Sequence, residues 1–405
     1  MNIRKAWLFV LIALLLTVNI MPVLQAEDAP EEIIIGASIP KSGVLADFGS
    51  YEEWGYQRAV DEANENGGIY LEEYDVTVPV RLVLYDDESM PDKVAENTER
   101  LILRDGVHVL LGSATPPLVV TGGIVAEREQ IPMVAVSTPL RAFMGGNEDG
   151  WNYVWDLFFD ELEMTQQQFL TMDMVESNKK VALFTDNEQD GVVMGALWEE
   201  YAPEFGYEIV YHANFPIGTT EYGDLIRRAQ EADAEIVIAQ MVTPDAIALW
   251  KQMQAFGYIP NAAFFEKGGE PVSWWGAHEG AAQGTMVAGY WHPALNIEGG
   301  QELREAFEEE TGDLYSQHIA DSYTAALVVI DAIERAGNLD PEAINTAIGE
   351  TDADYVVGRI KFTEDNVSAL PVVMLQWQDG DLEVVYPEDV ATAELIYPIP
   401  GASDE

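Results

Sequence analysis

Residues Val107 to Pro139 read VHVLLGSATPPLVVTGGIVAEREQIPMVAVSTP. Two short apolar runs, Val107–Leu111 and Met133–Val136, flank a helical segment, and each run stops at small polar residues. Apolar runs this short, bounded by turn signals, are the pattern of strands buried on both faces of a parallel sheet. The stretch is therefore a strand–helix–strand unit. Its strands end in Ser113-Ala114-Thr115-Pro116 and in Ser137-Thr138-Pro139. In open α/β sheets ligands settle at the carboxyl ends of strands, beside helix N-termini. Two adjacent strand ends tipped with hydroxyls would cradle a small polar or anionic group, and the same hydroxyls could equally cap the helices that follow.

The alternation extends in both directions. Ile33–Ile39 reads as a strand, Ser50 with Glu53 as a capping box opening a helix, and Gly67-Gly68 as its stop. Val80–Tyr85 is the next strand and Lys93–Arg104 the next helix. After a break rich in Gly and Asn at Gly145–Tyr153, a second series begins with strands at Lys180–Phe184, Glu208–Tyr211, Glu235–Met241, Ala262–Phe265 and Thr285–Gly289. Gln301–Ala347 is helical, and the C-terminal part is β, with Asp379-Gly380 as a hairpin turn. Strands alternating with helices of this length imply βαβ units, and 405 residues exceed one ordinary core. Two α/β lobes are expected.

Arg4 and Lys5, the apolar run Ala6–Leu16, Pro22 and Leu24-Gln25-Ala26 have the order of a secretory leader. Residues 1–26 are read as that leader and 27–32 as an acidic linker. An exported protein, periplasmic or extracellular, is expected, with no membrane insertion once the leader is cleaved. The chain has no cysteine, which excludes disulfides, thiolate catalysis and thioether lipid anchoring. It carries 71 acidic and 20 basic residues, a net charge of −51. Losing Arg4 and Lys5 takes −51 to −53. Such a field repels nucleic acid and anionic membranes. It suits a high-salt medium, where repulsion is screened.

Catalytic patterns are missing. No GxSxG, GxGxxG or phosphate-cradling loop occurs, and the five histidines are scattered, so neither metal nor cofactor is expected. A hydrolase would need a nucleophile placed beside a base, which the sequence does not offer. Aromatic pairs stand at the junctions of the two series: Trp151, Tyr153 and Trp155, then Trp274-Trp275 and Tyr290-Trp291. They either wall a cleft or pack the junction.

The blocks IIIGASIPKSGVLADFG (from Ile33), GYQRAVDEANENGGI (from Gly55), GVHVLLGS, IPMVAVSTP, KKVALFTDNEQDG and SYTAALVVIDAIERAG occur in an order and spacing that resemble the leucine/isoleucine/valine-binding proteins, the type I periplasmic solute-binding proteins of ABC importers. The resemblance spans the mature chain. It implies two Rossmann-like lobes with parallel sheets, residues 33–156 plus 292–357 and 157–291 plus 358–400. Three crossovers would join them, near Trp155–Phe158, Gly289–Pro293 and Val357–Phe362. It further implies a non-enzymatic monomer that closes on a small-molecule ligand and delivers it to an ABC permease. A sensory module reporting to a membrane receptor would use the same lobes. The implied ligand contacts are Ser113, Thr115, Ser137 and Thr138 in the first lobe, Phe48 and Trp155 as walls, and Asp190 and Glu266 from the second. Glu270 is the other candidate for the acid that holds an amino group. Asp190-Gly191 stands where the family often has Tyr-Gly, Val242 where it can offer a tyrosine, and Thr115-Pro116-Pro117 where it has a serine-rich loop. The ligand is thus left open between a branched-chain amino acid, another amino acid, an amide and an aromatic carboxylate.

Overall fold

A computed structural model describes residues 29–295 and 297–402. The leader, with the first residues of the acidic linker, lies outside them.

Two sheets carry the fold. The first has six strands, all parallel, in the order 367–369, 154–158, 133–135, 109–111, 33–39, 80–86. The strand pair of the decisive stretch is present, with Leu110 opposite Met133 and Leu111 opposite Val134. The second sheet has seven strands in the order 381–386, 373–378, 286–289, 262–267, 236–241, 180–186, 208–215. Its last five are parallel, and the first two add antiparallel at one edge. Val109, Val134, Val181, Val237 and Phe264 are fully buried or nearly so, as expected of strands with helices on both faces. Asp379 and Gly380 take φ 52° and 100°, which a two-residue turn of the hairpin kind demands.

The chain passes between the sheets after Phe158, after Gly289 and after Ala369. The third passage corrects the expectation near 357–362. Residues 358–361 form a small hairpin with 352–355, and Val367–Ala369 then pairs with Val154–Phe158 in the first sheet. An isolated β-rich segment carries no mark of which sheet it will join. A second correction concerns the first helix. It runs Ala46–Glu65, a turn earlier than the Ser50–Glu53 pair predicts, and Ser50 Oγ instead donates back to the Asp47 carbonyl at 2.6 Å. Here the apolar contacts of Leu45 and Phe48 override a local capping signal.

Helix Ala46–Glu65 packs closely on the long, mostly buried helix His318–Ala336. Gly55 makes the approach possible, since a Cβ there would lie 2.7 Å from Ser322 Cβ and 2.8 Å from the Tyr323 nitrogen. This packing brings His318, the first residue of its helix, to the carboxyl ends of the first sheet.

Among the described residues no helix is long and apolar enough to cross a membrane. Most basic side chains are engaged in ion pairs at the surface, such as Arg81 with Glu32, Arg304 with Asp381 and Lys361 with Asp352. With 71 acids in the sequence, most carboxylates have no cation to meet. The melting temperature is therefore expected to rise between about 0.1 and about 2 M sodium chloride, as the screening length falls from about 10 Å to under 3 Å. A flat or falling melting temperature would show that self-repulsion does not limit this fold.

Candidate functional site

The carboxyl ends of both sheets face a narrow cleft lined by residues of both lobes, among them Phe48, Thr115 and Ser137 from the first and Asp190, Gln240 and Lys267 from the second. The first lobe contributes two loops. One runs from Leu111 to the helix Pro116–Glu129; the other runs from Ala135 to the short helix Leu140–Gly145. Thr115 N–H donates to the Ser137 carbonyl at 3.1 Å and ties the loops together. Thr115 and Ser137 have φ 65° and 57°, and Lys267, opposite them in the second lobe, has φ 64°. Non-glycine residues in the left-handed region are strained, and such strain gathers at ligand sites. All three line the cleft.

Of the residues expected here, Phe48, Thr115, Ser137, Asp190 and Glu266 line the cleft. Ser113, Thr138 and Trp155 do not. Ser113 Oγ donates to Asp87 Oδ2 at 2.8 Å, beneath the cleft floor. Thr138 is fully buried among the strand ends. Trp155, expected as a wall, instead donates its indole N–H to Asn345 Oδ1 at 2.8 Å and meets Phe362 edge-on. Thr138 lies in the bend between cleft-lining Ser137 and Pro139 with its own side chain buried, and Trp155 lies within the strand Val154–Phe158, short of the end that reaches the cleft. The other junction tryptophans are packing too: Trp151 stacks on Phe143, Trp274 packs on Phe265, and Trp291 bonds the Val356 carbonyl.

His318, Gln240, Lys267, Phe158 and Phe159 also line the cleft, and the sequence reading did not select them. Lys267 had a usable signal, being one of few lysines in an acidic chain and ending an apolar strand. His318 had none, since only helix packing brings it from 181 residues away to Ser137.

The second lobe sets its polar groups in two clusters. In the first, Lys267 Nζ lies 3.0 Å from Asp190 Oδ2 and 3.3 Å from Glu188 Oε2. Gln240 Nε2 also donates to Asp190 Oδ2, at 3.0 Å. Burial pushes the Asp190 carboxyl up, but the Lys267 charge and both hydrogen bonds outweigh it and hold it below the usual range. Burial alone would lower the Lys267 ammonium; its acidic neighbours raise it instead. Asp186 is pushed up to about 7, by burial first, against the pull of Lys267. Asp186, Glu188 and Asp190 bring carboxylate oxygens within 4.8 Å of one another, a spacing that could hold a cation. The Lys267 ammonium already serves as that cation.

The second cluster lies toward the strand Met286–Gly289. Glu270 Oε1 accepts from Ser316 Oγ at 2.6 Å and from Gln317 N–H at 3.2 Å. Burial raises its carboxyl, opposed by the charge of His318. The His318 ring Nδ1 lies 3.1 Å from Ser137 Oγ and 3.0 Å from the Tyr290 hydroxyl, which donates to Asp321. Burial would lower this imidazole; the hydrogen bond and charge of Asp321, with the charge of Glu270, raise it overall. Phe48 meets the same ring edge-on at 5.0 Å. Glu266 is differently placed from Glu270: both its oxygens are used, by Gln168 Nε2 at 2.6 Å and Ala288 N–H at 2.9 Å. Burial pushes it up to about 7. It braces the floor and has no oxygen left over.

Four cleft-lining residues carry a buried polar atom with no partner in the chain: Thr115 Oγ1, Asp190 Oδ1, Gln240 Oε1 and Glu270 Oε2. Their side chains are 3–5% exposed. Buried polar atoms are nearly always satisfied, so four orphans around one cleft mark where a ligand's polar groups go.

The sequence profile of the periplasmic binding protein family matches residues 32–381. The Leu/Ile/Val-binding protein homolog 8 of Brucella abortus (strain 2308) is 25% identical over 388 residues, covering 90% of this chain and 93% of its own. Among solved structures, the branched-chain amino acid transporter substrate binding protein LivJ of Streptococcus pneumoniae, in complex with isoleucine, superposes with a TM-score of 0.78 at 20% identity, over 91% of this chain and 100% of that one. The solute binding protein of an ABC transporter from Rhodopseudomonas palustris BisB5, in complex with 3,4-dihydroxy benzoic acid, gives 0.75 at 16% identity, over 92% and 99%. With two largely parallel sheets facing one cleft and a family match across nearly the whole described chain, this protein belongs to the periplasmic binding protein family, whose members are exported, non-catalytic solute-binding proteins of ABC transporters.

Proposed function

We propose that the cleft takes an α-amino acid and that the loaded protein delivers it to an ABC permease as a monomer. The ammonium group sits on Glu270, and the carboxylate faces the hydroxyls of Thr115 and Ser137 across the cleft. The observation that carries this reading is the free Glu270 Oε2, a carboxylate oxygen buried opposite two hydroxyl-bearing loops. Relatives named for leucine, isoleucine and valine binding support an amino acid. An aromatic acid, as in the dihydroxybenzoic acid complex, brings no ammonium for Glu270. Contacts drawn from both lobes are what make closure depend on ligand, since only differential affinity shifts a conformational equilibrium.

Calorimetry on protein stripped of ligand by unfolding and refolding, titrated with the common amino acids one at a time, tests the reading. At least one should bind, and Glu270→Gln should cost about 1.5–3 kcal/mol of that affinity, the range for a hydrogen bond to a charged group. The unliganded variant should melt close to wild type, because glutamine keeps the acceptor that Ser316 and Gln317 use. No binding by any amino acid would remove the proposal.

A further inference from the structure

Resting on that reading, the structure assigns a narrower ligand class: we infer that the preferred amino acid ends in a primary amide, as glutamine does, and not in a branched aliphatic chain. Three observations converge. First, two of the four unpartnered atoms, Asp190 Oδ1 and Gln240 Oε1, belong to cleft-lining side chains that are bonded to each other, which makes them neighbours in the cleft wall. They lie away from Glu270. Gln240 is on the strand Ile236–Met241, whereas Glu270 is held by Ser316 and Gln317, and Gln317 in turn bonds the Ala288 carbonyl two strands over. One to two strand spacings separate the two acceptor sets, about 5–10 Å. An amino acid whose ammonium is on Glu270 therefore reaches Asp190 and Gln240 only with its side-chain tip.

Second, the tip that fits is uncharged. Lys267 is already seated against Asp190 and Glu188, and a cationic tip would have to displace or face that ammonium. An anionic tip would meet two acceptors. A primary amide brings two N–H donors for the two acceptors. Its carbonyl can take the remaining Lys267 proton, since an ammonium has three donors and two go to Asp190 and Glu188.

Third, an aliphatic tip would leave both acceptors buried and unpaired, which selects strongly against it. The apolar walls, Phe48, Phe158, Phe159, Met164 and Met194, suit the methylenes of a linear side chain.

The test is isothermal calorimetry of the stripped full-length protein with glutamine, leucine, glutamate and lysine. Glutamine should bind at least about tenfold more tightly than each of the other three. Gln240→Met should weaken glutamine by about 5- to 150-fold, the range for stranding one buried partner, and leave leucine unchanged or improved. Leucine, glutamate or lysine binding as tightly as glutamine, or equal losses for glutamine and leucine in Gln240→Met, would overturn this inference while leaving the amino-acid reading intact. The earlier reading fails separately, by the absence of any amino-acid binding.

Discussion

Taking the purified protein from pH 8 to pH 5 is expected to raise its melting temperature by about 10 °C or more, the reverse of ordinary acid destabilisation. The cause is a set of buried acids that fold protonated. Burial pushes Glu161, Asp186 and Glu266 up to about 7 and Asp87 up to about 6. Glu52 and Asp156 are completely buried, neither has a partner for either oxygen, and burial raises both well above the carboxylate range. In the unfolded chain these groups titrate near 4. Raised folded-state pKa values contribute stability that is complete below about 4 and is lost as pH climbs through 6 to 7. Each unit is worth about 1.4 kcal/mol, so Glu266 alone carries on the order of 3 kcal/mol. Surface acids, far more numerous than the cations, also repel one another. Repeating the scan in high salt, where their repulsion is screened, should leave most of the pH effect in place. A melting temperature that is flat or falls from pH 8 to pH 5 in high salt would mean that these acids are solvated or paired in solution.

Replacing Lys267 by methionine should have the largest effect of any single substitution in the cleft. The ammonium is buried against Asp190 and Glu188, and its charge also opposes the burial that raises the Asp186 carboxyl. Removing one partner from a buried ion pair costs about 3–5 kcal/mol, because the remaining charge is left in a medium of low polarisability. Methionine fills most of the volume, so the loss is electrostatic and depends on pH. The pairing holds Asp190 below the usual carboxylate range. Its contribution is therefore present above about 4, the unfolded value, and is lost as pH falls through the lower folded value. Denaturant unfolding should show the wild-type advantage in full at pH 7.5, with a smaller gap near pH 4, both proposed as test conditions. A variant as stable as wild type at neutral pH would show that Lys267 is not the counter-charge of Asp190.

The sequence alone determined the alternation that makes the fold. Val107–Leu111 and Met133–Val136 had to be buried parallel strands, because apolar residues on both faces leave no side for water. Chain order also carried Thr115 and Ser137 to the cleft, since residues that end such strands lie at the mouth of the sheet wherever the partner lobe sits. Asp379-Gly380 specified its turn for an equally local reason, the need for positive φ at both central positions. What lay beyond local pattern was decided by tertiary structure. Thr138 sits between two cleft-lining residues yet is fully buried, and Trp155 lies within a strand whose far end, Phe158, is what reaches the cleft. Glu266 and Glu270 could not be told apart by composition; only the strand Met286–Gly289, whose Ala288 N–H takes one Glu266 oxygen, leaves Glu270 as the free acid. His318 reaches Ser137 because Gly55 lets two helices approach. Lys267 and Gln240 come from the ends of two neighbouring strands and Asp190 from the first turn of the helix that follows a third, and they meet only when the sheet forms. Periodicity reports which face of an element is buried, and it is silent on which buried face meets which.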